Sequence, residues 1–145
     1  MTEKEEKARG FFSNSFNCAQ AVLGAFCQDG GLDEKTALML TSGLGGGARC
    51  GELCGAVAGA IIVIGLKCGH STVGALDQKK YCNSKAYEFE ERFKEANRSI
   101  VCRDLLGVDI RSPEDHSDPI AQEGHKTICP EMVTSAVRIL ESMEF

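Results

Sequence analysis

Apolar positions recur every three or four residues along most of this chain and seldom alternate, so the pattern predicts helices nearly throughout and offers little sign of strands. Ala8, Phe12, Phe16, Ala19, Leu23 and Phe26 keep a helical period. A break falls at Ser13 to Asn17, because Asn17 followed by Gln20 reads as a capping box opening a second helix, NCAQAVLGAF, which Gly30 and Gly31 end. Leu32 and Asp33 supply a staple residue and an N-cap for a helix through about Thr41, with Ala37, Leu38 and Leu40 available to the core.

The stretch Gly43 to Leu66 is a glycine-rich turn running into an apolar helix. A helix starting near Ala48 would set Cys50 and Cys54 four residues apart on one face, with their sulfurs as neighbours. Gly51, Gly55 and Gly59 recur at the same interval on another face, and each costs about 1 kcal/mol of helix propensity relative to alanine. Close approach of a second helix or a bulky cofactor would compensate. The uncharged run from Leu53 to Leu66 is short for a bilayer and suits a buried core helix. Gly45 to Gly47 before a helix could cradle an anion, but the Lys-Ser/Thr pair of a phosphate loop and an upstream strand are both missing.

Beyond it, Gly69 reads as a C-cap, and Asp77 can cap a helix running to about Arg98 with Cys82, Ala86, Phe89, Phe93 and Ala96 as its apolar stripe. Glu88/Arg92 and Glu90/Lys94 give that helix a solvent face. A short helix, CRDLLG, starts at Cys102. Asp109 to Thr127 is polar, holds Pro113 and Pro119 and lacks a period, so it reads as a lid or a surface loop. An amphipathic helix follows Cys129-Pro130, with Cys129 expected at its N-cap. The expected architecture is all-α: one helical domain over residues 1–145, a bundle of about five to six helices with the glycine-rich apolar helix at its centre.

Length and charge narrow the function. At 145 residues the chain can bury a full core, and its net charge of -5 without a basic patch speaks against nucleic acid. The N-terminus, MTEKEEKARG, is charged where a signal peptide would be apolar, which points to the cytoplasm. No membrane span is expected. The glycine face suggests a homodimer.

Eight cysteines, at 18, 27, 50, 54, 68, 82, 102 and 129, change the picture most. In a reducing compartment they read as metal-binding or redox chemistry rather than a disulfide scaffold. No CxxC occurs, which removes the zinc-ribbon, thioredoxin-like and c-type haem signatures together. Cys18, Cys54, Cys102 and Cys129 all fall near expected helix N-termini, where free N–H groups and the macrodipole favour thiolate and lower its pKa. If those termini converge, four thiolates could hold an iron-sulfur cluster. An alternative is thiol-disulfide exchange by Cys54 with Cys50 or another nearby cysteine, the catalytic residues being otherwise unassigned. A third is a structural zinc site or a helical interaction module, although zinc is usually gripped by closely spaced cysteine pairs. Cys27, Cys68 and Cys82 read as small buried hydrophobes. His70, His116 and His125 read as solvent-exposed; a histidine ligand from the polar connection is an alternative that four cysteines make unnecessary, and no nucleophile and base pair suggests hydrolysis.

The order Cys18, then Cys54-Gly55-Ala56-Val57-Ala58-Gly59, then Cys102, then Cys129, with the NCAQAVL, GLGGG and CRDLLG surroundings, resembles the redox-active proteins named for four cysteines around a CGAxxG core. The resemblance implies a small, all-helical, cytoplasmic protein in which those four cysteines form the redox centre, with an unidentified redox partner. A related domain occurs in split-Soret cytochromes, where an iron-sulfur centre has been associated with it. No CxxCH exists here, so haem does not carry over.

Overall fold

The structure, a computed structural model, describes residues 1–145 and is all-helical, with eight α-helices and no strand. The helices are α1 (Glu3–Ser13), α2 (Cys18–Phe26), α3 (Glu34–Leu40), α4 (Gly55–Cys68), α5 (Leu76–Asn97), α6 (Cys102–Leu106), α7 (Pro119–Thr127) and α8 (Cys129–Ser142). The helix count exceeds the five to six expected. Part of the excess is α7, which lies in the polar connection from Asp109 to Thr127: Asp118 caps it by accepting from the Ile120 N–H, and Pro119 starts it.

Local caps match the sequence closely. The Asn17 side chain accepts from the Gln20 N–H while Gln20 Oε1 accepts from the Asn17 N–H, and Asp33 caps α3 by accepting from the Thr36 N–H. Asp77 caps nothing: α5 starts one residue earlier, and Asp77 lies in its first turn. Leu40, expected in the core, is exposed, whereas Ala37 is buried.

The largest departure is at Gly43 to Cys54. Gly46, Gly47, Ala48 and Arg49 take φ of 63°, 62°, 57° and 64°, one left-handed turn, so no right-handed helix begins at Ala48. Left-handed backbone costs roughly 1–2 kcal/mol at each non-glycine residue, so Ala48 and Arg49 hold stored strain. Glycine is required at Gly47, where a Cβ would lie 2.5 Å from the Glu52 nitrogen and 2.8 Å from the Cys102 Cβ.

The main core is built by α1, α2, α4, α5 and α8 around Leu23, Val57, Ile64, Phe89, Phe93 and Val137. The face of α4 carrying Gly55 and Gly59 lies against α2: a Cβ at Gly59 would sit 2.7 Å from the Ala19 carbonyl oxygen. That close approach is satisfied within one chain, which removes the reason for expecting a homodimer from the glycine face. Buried Glu5 ties α1 to α8 through Arg138 at 2.8 Å. No helix is long and apolar enough to cross a membrane.

Candidate functional site

Cys18, Cys54, Cys102 and Cys129 line one cavity of about 270 Å³. Each stands at a helix start: Cys18, Cys102 and Cys129 are the first residues of α2, α6 and α8, and Cys54 is the N-cap of α4. Cys129 is one residue further into its helix than expected, because Ile128 takes the cap position.

Long-range contacts bring these starts together. An isolated antiparallel bridge pairs Leu53 with Val101; the Cys54 N–H donates to the Ile100 carbonyl at 2.8 Å and the Cys102 N–H to the Glu52 carbonyl at 2.6 Å. The bridge holds the two cysteines at adjoining chain crossings. Gly55 admits Cys18, whose Cβ would be only 3.2 Å from a Cβ there. Gly45 likewise admits Asn17, a Cβ there falling 2.6 Å from the Asn17 Cβ. Cys18 and Cys129 lie close enough for the first thiol to stabilise the second as thiolate, and Cys54 is close enough to Cys102 to raise its cost of ionisation.

The expectation that helix N-termini lower all four thiol pKa values fails for three of them. Burial pushes Cys54 up to about 11, although the Val57 and Ala56 N–H groups donate to its sulfur. Burial, followed by the neighbouring Cys54 and Cys129, pushes Cys102 up to about 12. Cys18 is raised well above the ordinary thiol range by donating to Cys129, and then by its own burial. Desolvation in an apolar cavity outweighs the helix terminus.

Cys129 goes the other way, down to about 6. The Cys18 thiol donates to its sulfur, and His125 adds a second donor, together outweighing burial. His125 is raised in turn by Cys129, so each favours the charged form of the other. Cys18 and Cys129 therefore titrate as a unit that gives up its first proton readily and its second reluctantly.

Of the three histidines expected in solvent, His70 and His125 are exposed and His116 is half-buried, yet His116 and His125 both reach the site. His116 and His125 line the cavity with Arg49, and the His116 Nε2 lies 3.3 Å from the Arg49 carbonyl oxygen. A signal for His125 was present: it precedes Cys129 by four residues, and α7 and α8 run almost continuously through Ile128. His116 carried no such signal, because it is brought in by the short turn Glu114–Ser117.

Cys50 is not on the helix with Cys54. It lies at the end of the left-handed turn, its Sγ donating to the Gly47 carbonyl at 3.4 Å, outside the cavity lining. The one-turn spacing that made the two sulfurs neighbours does not exist. No three histidine, cysteine or carboxylate side chains converge closely enough to hold a single metal ion.

Among known proteins, the family model described as "Putative redox-active protein (C_GCAxxG_C_C)" matches residues 16–143. No curated protein and no solved structure matches the chain.

Proposed function

The chain belongs to the C_GCAxxG_C_C redox-active family, and on that premise we propose that it is an electron-transfer or redox-sensing protein whose Cys18, Cys54, Cys102 and Cys129 hold an iron-sulfur cluster. The observation that carries this reading is the arrival of four cysteines, from four helix starts far apart in sequence, at one cavity. The donor set suits the group. A tetrahedral ion needs its ligands about one centre, which these side chains do not offer, whereas a multi-iron cluster shares soft thiolates among its irons. Sulfurs that meet as a pair fit a cluster taking two thiolates per iron.

When bound, such a cluster supplies one-electron chemistry. The rest falls to the chain. Three thiols held in the neutral form, Cys54 and Cys102 by burial and Cys18 first by donating to Cys129, must lose protons to become ligands, so loading releases protons and weakens in acid. The Ala56 and Val57 N–H groups already point at the Cys54 sulfur and would stabilise negative charge there. Arg49 brings positive charge to the cavity wall, and His125, whose protonation the Cys129 thiolate favours, stands beside it.

The test is iron, zinc and acid-labile sulfide content, with a visible spectrum, on protein purified without oxygen. Iron and sulfide together, both lost in Cys54→Ser, are expected. Metal-free wild-type protein, or zinc alone, would overturn the cluster.

The Cys18–Cys129 contact favours a second reading, thiol-disulfide exchange at that pair rather than at Cys54 and Cys50. The Cys129 thiolate would attack a substrate disulfide and release one thiolate. Cys18, once deprotonated, would attack the Cys129 sulfur of the mixed disulfide and release the other. Metal-free protein that cycles a Cys18–Cys129 disulfide would establish this instead.

A further inference from the structure

We propose that Cys68 and Cys82 form a second redox site, a dithiol that oxidises to a disulfide clasping the end of α4 to the start of α5. Neither residue belongs to the four-cysteine cavity, and the inference does not rest on the function proposed for it.

Their placement carries the argument. Cys68 is the last residue of α4, and Cys82 lies within the first two turns of α5, which packs against α4 after the chain reverses through residues 69–75. Both side chains rest on the rim of the same core, and Cys82 lies close enough to Cys68 to raise the cost of ionising it. Both are half-exposed, so a soluble oxidant can reach them. This corrects the expectation that they are simply small buried hydrophobes. Lys85, one turn beyond Cys82, lies near enough to Cys68 to favour negative charge there. A third ligand is missing, which leaves oxidation rather than metal capture as the chemistry of the pair.

The clasp and the cavity sit at opposite ends of one helix. With Cys54 capping α4 and Cys68 closing it, 14 helical residues at about 1.5 Å each put the two sites roughly 20 Å apart. They can be oxidised independently.

Cys68 keeps its proton well, because burial and the adjacent Cys82 push it up to about 11 and its Sγ donates to the Ile64 carbonyl at 3.3 Å. With the Cys68 thiol engaged by that carbonyl, the first attack is assigned to Cys82. As thiolate it attacks one sulfur of a small-molecule disulfide, breaking that S–S bond and releasing one thiolate. Cys68 then gives its proton to solvent and attacks the Cys82 sulfur of the mixed disulfide, breaking the new bond and releasing the second thiolate. Two protein thiols are oxidised by two electrons, and one small disulfide is reduced to two thiols. The bond closes only a short loop and joins elements already in contact, so little has to move.

The experiment is an anaerobic titration of the full chain with glutathione disulfide, followed by alkylation and tryptic mapping. Cleavage at Lys67, Lys79, Lys80 and Lys85 separates the two cysteines onto CGHSTVGALDQK and YCNSK, so a linked pair of these peptides identifies the bond directly. Expected is that linked species in wild type, lacking two hydrogens and reversed by dithiothreitol. Cys68→Ser should instead trap a stable glutathione adduct on Cys82. A stable adduct on Cys82 in wild type, or two freely alkylated peptides while other cysteines oxidise, would overturn the clasp. The wild-type mapping stands even if a variant folds poorly.

Discussion

Cys129 and Cys68 each have a second cysteine sulfur beside them, yet one is held down at about 6 and the other pushed up to about 11. Both stand at the end of a helix. Cys129 begins α8, where its own N–H is free to donate, and Cys18 and His125 add two further donors. Cys68 ends α4, where free carbonyls predominate, and its thiol donates to the Ile64 carbonyl. What separates them is the balance of donors against burial: at Cys129 the donors outweigh desolvation, and at Cys68 burial is the largest effect. Helix position alone is insufficient, since Cys54 caps α4 with two N–H donors and is still raised by burial.

The sharpest test compares alkylation rates of the two in metal-free protein at pH 7. At about 6 Cys129 is mostly thiolate, while Cys68 at about 11 is ionised in roughly one molecule in 10⁴. The greater intrinsic nucleophilicity of the more basic thiolate recovers about two of those four decades, leaving Cys129 roughly 10²-fold faster. Iodoacetamide labelling read peptide by peptide measures this. His125→Ala should raise the Cys129 pKa, slow its alkylation near pH 6 by about twofold or more, and leave Cys68 unchanged. Equal rates in wild type would remove the distinction.

Stability against pH extends the comparison into the cavity. Cys54 is raised from 9.0 to about 11, so its contribution is complete below pH 9 and is lost as pH climbs through 11, about 3 kcal/mol in all. Cys129 is lowered from 9.0 to about 6, so its contribution is complete above pH 9 and is lost as pH falls through 6. The combined thiol contribution of these two therefore peaks near pH 9. Urea melts of metal-free protein across this range should flatten on the alkaline side in Cys54→Ser and on the acid side in Cys129→Ser. An unchanged alkaline limb in Cys54→Ser would contradict the assignment.

The two ends of α4 also differ in what their glycines do. Gly59→Ala would drive a methyl to 2.7 Å from the Ala19 carbonyl oxygen and should cost about 1–3 kcal/mol. Gly65, with nothing within 4 Å of a Cβ, should gain about 0.5–1 kcal/mol on the same change. Denaturant midpoints that move in the same direction would show that the close approach at the cavity end is not what holds Gly59.

Helix type and most helix starts were legible because their causes are local. The Asn17–Gln20 box and the Asp33 cap each involve side chains and N–H groups three residues apart, so the order of residues suffices to specify them. Cys18 at the start of α2 and Cys102 at the start of α6 follow from the same local reading. The turn before Cys54 was not legible. A glycine run reads equally as a tight turn or a flexible helix start. The left-handed path through Ala48 and Arg49 persists because Glu52, Cys102 and Ile110 pack against the glycines that flank it.

What the sequence determined by itself is an all-helical chain with four cysteines at helix starts, since capping and periodicity act over a few residues. Tertiary structure decided that those starts converge, that Cys50 stays outside, that His125 reaches Cys129, and that three thiols hold their protons while one gives its proton up. Convergence, burial and the placing of donors arise only when segments far apart in the chain are packed together, and a thiol's charge state follows the cavity those segments enclose.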